Sequence, residues 1–456
     1  MSWVLIVSHE ALHERMSGPS IRNWELARAL ASANTVTLAA PGRPARRGDG
    51  FDVVGYDRYS LPELVHSHQV VVCSAFLLHE NPALLEAEHL VVDLYGPFAL
   101  ESLHQLEDRT VEDRLVLGDG FRQAVRELVR AADMIMCASE RQKDFWLGWL
   151  DASGRVNVLT HEADPGFSSL LRVVPFGLAA EPPVAGRPRF RGVVDGIDAD
   201  SLVVLWGGGI WNWFDPLTLI RAADATRETL PQLRVVFPAT GSPSEKVPAM
   251  QMAREARKLA DSLGLTGSRV FFGDAWVPYE DRGSLFLEAD IGISLHREDI
   301  ETRFSFRTRV LDYLWAGLPV VTTQGDSMAD LVAKHDLGEV VEYGDVDALV
   351  RALQSLADPG RRRESGGRSA ALAQDFHWAR VAAPLLEFCE TPRQAPDRER
   401  ARAALGGPPT EPAPAQMAEL RRLARRSIEA LRKGGPQNVA VKGREYLRRR
   451  RGSGGD

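Results

Sequence analysis

Short, wholly apolar runs alternate with amphipathic stretches along most of the chain. Residues 4–8 and 34–38 are the first two such runs, and between them residues 21–30 place their apolar groups at helical spacing. The pattern continues with strand-like runs at 70–74, 90–93, 134–138 and 172–175, and helical periodicity at 111–130 and 141–150. Short continuous apolar runs suit strands buried on both faces, and their alternation with helices predicts a mostly parallel sheet. Residues 177–200 break the pattern with Pro, Gly and charge, as a linker does. A second series follows, with strands at 202–205, 234–238, 270–272, 291–295, 320–322 and 339–341. Helices fit between them at about 216–230, 246–263, 280–289, 308–316 and 345–357. Two βα domains in series, each near the size of a Rossmann unit, are predicted over 1–185 and 200–375. Residues 374–390 read as one terminal helix carrying Trp378, Val381, Leu385 and Phe388. From Thr391 to about Ala415 the chain is Pro- and charge-rich and reads as disordered.

Composition sets bounds on this picture. A chain of 456 residues, 44% of them hydrophobic, is long enough for two cores. No run approaches 18 apolar residues, so no membrane-spanning helix is expected. The apolar run near the N-terminus is too short for a signal peptide and is followed at once by charge. Cys73, Cys137 and Cys389 lie far apart with no metal or redox spacing; Cys137 and Cys389 fall in apolar patterns and read as buried free thiols, which fits a reducing cytoplasm. The net charge of −7 hides an asymmetry: residues 419–456 hold twelve Arg and Lys against four acids, a balance of +8 that leaves −15 on the rest. Such a tail suits an anionic surface. Its one aromatic is Tyr446 and the body is acidic, which argues for a membrane surface and against nucleic acid.

The chemistry concentrates in the second half. Residues 301–321, ETRFSFRTRVLDYLWAGLPVV, read as a polar approach, a helix ended by Gly317, and a buried strand. Glu301, Arg303, Arg307 and Arg309 stand at or just before that helix N-terminus. Helix N-termini favour anions such as diphosphates, and an acid can hold sugar hydroxyls, so the segment suits a nucleotide-sugar. The loop from Gly207, GGGIWNWFDP, follows a strand; Gly207, Gly208 and Gly209 let backbone N–H groups approach a phosphate. Asp93 ends the strand 90–93, where open α/β sheets present ligand-binding residues; it either engages an acceptor hydroxyl or caps the following turn. His296 and Arg297 end another strand and face the expected cleft. No HxH, CxxC or HExxH pattern occurs, and Asp198-Ala199-Asp200 falls in the linker, so a metal-independent mechanism is expected.

These segments carry a resemblance. Asp312-Tyr-Leu-Trp-Ala-Gly-Leu-Pro-Val-Val resembles the E-A-M-A-C-G-x-P-V-V signature of retaining GT-B glycosyltransferases of family 4. Asp312 stands at the signature's second acid. Phe304 occupies the place of the first, and Glu301 is the nearest acid upstream. The family's glycine-rich loop often carries an Arg and a Lys; neither is present here, and Arg303, Arg307 and Arg309 can supply cations instead. Residues 270–279, VFFGDAWVPY, resemble the family's V-x-F-x-G-x-V segment, which lines the nucleobase pocket; Trp276 or Tyr279 either stacks on a base or fills the core. Residues 17–22, SGPSIR, are similar to the family's first glycine-rich loop, with Gly18 allowing close approach and Arg22 reaching the cleft. Gly325, Asp326 and Asp330 stand where the family has a glycine-rich turn and an acid. Residues 138–140 and 173–178 resemble its V-S-E and V-I-P-N-G-V segments.

The resemblance implies a GT-B fold, with two Rossmann-like doubly wound domains facing a central cleft. It places the acceptor on the first domain, the donor on the second, and a crossing helix at 376–390 before the Pro-rich linker and basic tail of 391–456. It implies a hexosyltransferase (EC 2.4) moving sugar from a UDP- or GDP-sugar to a glycan or lipid-linked acceptor with retention, in surface polysaccharide or glycolipid synthesis. Its location would be cytoplasmic, peripheral on the inner face of the plasma membrane. Two alternatives stay open: a nucleotide-sugar epimerase of the same fold, and a non-catalytic scaffold in a glycan assembly complex.

Overall fold

The computed structural model describes residues 1–403 and 405, except 79, 80, 106, 108, 242–249, 274 and 275. The Pro-rich stretch after residue 405 and the basic segment 419–456 lie outside the described residues.

Two all-parallel sheets organise the chain. In the first, β1 (Trp3–Val7), β2 (Thr35–Pro41), β3 (Asp52–Tyr56), β4 (Val70–Ser74), β5 (His89–Asp93), β6 (Met134–Cys137) and β7 (Leu171–Val173) run in the order β3-β2-β1-β4-β5-β6-β7. The second holds β8 (Leu202–Leu205), β9 (Leu233–Phe237), β10 (Val270–Phe272), β11 (Ile291–Ser294), β12 (Val320–Thr323) and β13 (Gly338–Val341), ordered β10-β9-β8-β11-β12-β13. In each sheet the order reverses beside the first strand, the switch point where open α/β sheets hold ligands. The central strands β4, β6, β8 and β11 are buried almost throughout, as expected for a sheet covered by helices on both faces. Every strand expected from the apolar runs is present within two residues at each end, except that β2 runs on three residues further, to Pro41. β3 is an addition: it is an edge strand held only by β2, and its short Asp-Val-Val-Gly-Tyr sequence gives little apolar signal.

Two expectations are corrected. Residues 374–390 form three short segments, Gln374–Phe376, Trp378–Val381 and Ala383–Glu390. The break at His377 has an extended backbone and pairs with the linker: Leu178 N–H donates to Phe376 O, and Trp378 N–H to Leu178 O. The last two segments pack on the helix Gly18–Leu30 of the first sheet's layer. Residues 391–403 pack in part against the body, with Ala395, Asp397, Arg398 and Ala401 buried. Asp397 is 2% exposed and meets Arg155, which is wholly buried, while Arg398 meets Asp133. Charge-rich composition misleads here because the partners stand about 240–265 residues earlier.

Candidate nucleotide-sugar site

A cavity of about 520 Å³ lies between the C-terminal ends of the two sheets. Its floor on the second sheet is the loop after β8. Gly207 is crowded: a Cβ there would stand 3.1 Å from Phe286 and 3.2 Å from Tyr313. Gly208 adopts φ +92°, and a Cβ on Gly209 would lie 2.6 Å from the Gly241 carbonyl. Ring side chains press on Gly207, a left-handed backbone favours glycine at 208, and the Gly241 backbone excludes a Cβ at 209. Tyr313 fixes the loop from below. Its hydroxyl accepts the Gly207 N–H at 2.8 Å and points its proton toward the carbonyls of Ile293 (2.8 Å) and Leu205 (3.1 Å). The Tyr313 ring lies flat on β11, where a Cβ on Gly292 would come within 2.3 Å of it.

The helix Thr308–Trp315 starts at this loop, and Arg307, Thr308, Arg309 and Asp312 line the cavity. Arg309 sits between Phe214 and Trp206, with its guanidinium carbon 4.1 Å and 4.9 Å from the two ring centres. Its Nη2 donates to Gly209 O at 3.1 Å, but its buried Nη1 has no acceptor among the described residues. Burial pulls its pKa down to about 10, so it stays charged at neutral pH. A buried guanidinium with an unmet donor, beside a glycine loop and a helix N-terminus, has the chemistry that suits an anion.

Arg307 is held differently. It pairs bidentately with Glu301, at 3.0 and 2.6 Å, and its Nε is 3.6 Å from Asp326. Asp326 caps the helix Ser327–Lys334 by accepting from Met328 and Ala329 N–H, and lies 3.0 Å from His296 Nε2. Burial first, and Arg307 second, lower the His296 pKa. Glu301, His296 and Asp326 are fully buried and form a polar layer beneath the cavity, not its wall. Arg303 is exposed, its guanidinium 5.7 Å from the Phe304 ring, and does not line the cavity.

Asp312 does face the cavity. It pairs with Arg282 at 3.6 Å, and burial raises its pKa. Arg282 in turn stacks over Tyr279 at 3.9 Å, and the Tyr279 hydroxyl donates to Glu25 of the first sheet's layer at 2.9 Å. Trp276 also lines the cavity, and its Nε1 donates to Gly241 O at 2.9 Å. Of the two aromatic candidates, Tyr279 is 6% exposed, with Arg282 over its ring and its hydroxyl on Glu25, whereas Trp276 is the less buried.

From the first sheet, Gly18 reaches the cavity, and its nearest neighbour would be the Tyr95 hydroxyl at 4.0 Å, so nothing crowds it. Arg22 and Asp93 are elsewhere. Arg22 is wholly buried, bonded to Asp93 at 2.6 and 3.1 Å and to the carbonyls of Val174 and Pro175. The two satisfy each other and hold the end of β5 to the start of the linker. Gly325 and Asp330 also lie off the cavity. The Gly325 carbonyl accepts from Arg141 at 2.5 Å, and Asp330 pairs with the same arginine, tying the two halves at the rim. A shallower groove of about 610 Å³, bordered by Arg172, Glu387 and Arg393, brings together none of these residues.

Two features have no counterpart in the sequence reading. Trp211 and Trp213 stack at 5.6 Å with an interplanar angle of 5° and both line the cavity. Glu101, on the helix Phe98–Gln105, enters it from the first sheet. The signal for Glu101 was faint: it shares the β5 loop region with Asp93, one helical turn into a helix with no distinct cap.

Residues 201–358, the stretch that carries the glycine loop and Arg309, match the family model described as Glycosyl transferases group 1. No curated protein matches the chain. Solved structures similar in fold include sucrose-phosphate synthase from Thermosynechococcus elongatus, at 17% identity and TM-score 0.58, covering 86% of this chain and 98% of that one. Another is Anabaena Alr3699/HepE in complex with UDP and glucose, at 14% identity and TM-score 0.58, covering 86% and 100%. A third is WaaG, a glycosyltransferase involved in lipopolysaccharide biosynthesis, at 16% identity and TM-score 0.58, covering 85% and 100%. The fold is therefore GT-B, and the family match supports a glycosyltransferase. Among the described residues no group of three or more His, Cys, Asp or Glu is arranged to hold a metal ion, and no helix is long and apolar enough to cross a membrane.

Proposed function

We propose that the chain is a retaining glycosyltransferase that moves a sugar from a UDP-sugar to a hydroxyl of a glycan or lipid-linked acceptor. The observation that carries this reading is Arg309: a buried cation with an unmet Nη1 donor, set against the loop Gly207–Gly209. In this reading the diphosphate lies on that loop and on the first turn of the helix Thr308–Trp315, Trp276 meets the base, and Asp312 holds hydroxyls of the donor. Negative charge growing on the departing diphosphate is met by Arg309 and by backbone N–H groups fixed in advance. UDP is favoured because the similarly folded HepE is described with UDP and glucose. The stated role of WaaG supports a place in surface-glycan assembly.

Attack from the face that the diphosphate leaves retains the anomeric configuration and needs no carboxylate nucleophile. The test is transfer from UDP-sugars to alkyl glycosides in the presence of EDTA, followed by proton NMR of the new anomeric centre. The product should keep the donor's configuration and form at the same rate without free metal. An inverted product would overturn retention, and an EDTA-sensitive rate would overturn metal independence.

The basic segment 419–456 is read as a contact with the anionic inner face of the plasma membrane, supported by its charge alone. Basic residues near such a surface contribute roughly 1 kcal/mol each. Deleting 419–456 should abolish co-sedimentation with phosphatidylglycerol vesicles, and unchanged sedimentation would remove the membrane contact.

A further inference from the structure

Trp211 and Trp213 stand two residues apart on the loop after β8, with their rings parallel to within 5° and both lining the cavity. The backbone that carries them is pinned. Phe214 N–H donates to Trp211 O at 3.1 Å, Arg297 N–H to Trp213 O at 3.2 Å, and Asp215 N–H to Leu295 O at 3.0 Å. Asn212, between the two, is 4% exposed and reaches both halves of the molecule. Its Nδ2 donates to the His104 carbonyl on the helix Phe98–Gln105 at 3.0 Å, and its Oδ1 accepts Met252 N–H at 3.2 Å. The pair therefore stands where the loop of the second sheet meets a helix of the first. Trp213 is buried and packs on Phe214, with ring centres 5.8 Å apart, and Trp211 is the more exposed of the two. From the same helix of the first sheet, Glu101 lines the cavity and receives no hydrogen bond from a described residue.

We propose that Trp211, backed by Trp213, is the platform on which a pyranose ring of the acceptor lies, so that the hydroxyl to be glycosylated belongs to a sugar already in place. This rests on the transferase reading above and names its acceptor class. The face of an indole carries partial negative charge, and the C–H groups along one side of a pyranose are its apolar, slightly positive complement. The rim of the same ring carries hydroxyls, which need oxygen acceptors, and the Glu101 carboxylate offers two. An alkyl chain would match the indoles but set hydrocarbon against the carboxylate, which is unfavourable. A pyranose matches both. The donor has other partners in this reading: the glycine loop and Arg309 for the diphosphate, Asp312 for hydroxyls and Trp276 for the base. The tryptophan pair, joined to the first sheet's layer through Asn212, is left for the acceptor. The enzyme then extends a glycan and does not start one, and an earlier glycosyl transfer must supply its substrate.

The test uses the full chain loaded with UDP, as wild type, Trp211→Leu and Trp211→Phe. Saturation-transfer NMR is run on the methyl glycosides of glucose, galactose, mannose, N-acetylglucosamine, rhamnose and xylose, with octyl phosphate as the apolar control. At least one glycoside should bind, with transfer strongest at the ring C–H protons of one face. Trp211→Leu keeps apolar bulk without a flat ring and should weaken that binding by roughly 3–10-fold, the worth of an aromatic contact. Trp211→Phe should keep most of it. UDP affinity should stay within about twofold in both variants, which shows that the loop is intact. Equal glycoside binding in Trp211→Leu, a parallel loss of UDP binding, or octyl phosphate bound through Trp211 while no glycoside binds would overturn the platform and leave the transferase reading standing. Failure of the wild type to bind UDP would overturn both.

Discussion

Arg309→Met is expected to reduce sugar transfer by roughly 10²–10³, the range seen when one fixed donor to a developing oxyanion is removed. Methionine keeps an unbranched apolar stem between Trp206 and Phe214, so the packing survives while the charge and the Nη1 donor are lost. Stability should not suffer. Burial already works against the charged guanidinium, pulling its pKa down to about 10, which offsets the loss of the bond to Gly209 O and of the cation–π contacts with Trp206 and Phe214. Melting temperature and rate should therefore separate: the first unchanged or higher, the second strongly lowered. A joint fall in both would mean that Arg309 is a structural residue.

Asp397→Ala is expected to produce the largest loss of stability, about 3–5 kcal/mol, because it strips a buried arginine of its partner. Arg155 is wholly buried, meets both Asp397 oxygens at 2.9–3.1 Å, and gives Nη1 to the carbonyls of Val129, Arg130 and Ala132. Asn157 donates to the same carboxylate at 2.7 Å. Next to it, Arg398 pairs with Asp133 and bonds the Ala87 carbonyl at 2.7 Å. Residues 395–398 thus clasp the ends of β5, β6 and the helix Val111–Ala131. Urea unfolding of Asp397→Ala, and of a chain ended at residue 390, measures this clasp. A shift below about 1 kcal/mol in both would place it among surface ion pairs of little consequence.

The contrast between these two arginines shows what a sequence can display. The strands were readable because each buried run declares itself locally; β3 was not, because an edge strand with Gly55 and one partner has little apolar signal. The glycine loop and Arg309 in the first turn of the helix Thr308–Trp315 could be read as neighbours of one cavity because they lie in two short segments, whereas Arg303 in the same stretch falls outside it. What a polar residue does once folded depends on who meets it. Arg22 and Asp93 both carry plausible site chemistry, and the fold joins them across 71 residues. His296 and Asp326 pair in the same way beneath the floor, 30 residues apart. The Glu101 carboxyl is raised first by burial and then by the charge of Glu301, which stands 200 residues later, so no local pattern could mark it. The same reasoning explains residues 391–403, whose charges read as solvated until Arg155 and Asp133 are placed against them.

The claim on which the functional account stands is that Arg309 and the loop Gly207–Gly209 hold a nucleoside diphosphate. Calorimetric titration of UDP into the wild type and into Arg309→Met tests it most directly, with no acceptor or added metal required. The account predicts one UDP bound per chain, weakened by salt and reduced by roughly 10–100-fold in the variant, the worth of one hydrogen bond to a charged group. No binding to the wild type, or equal binding to both proteins, would contradict it.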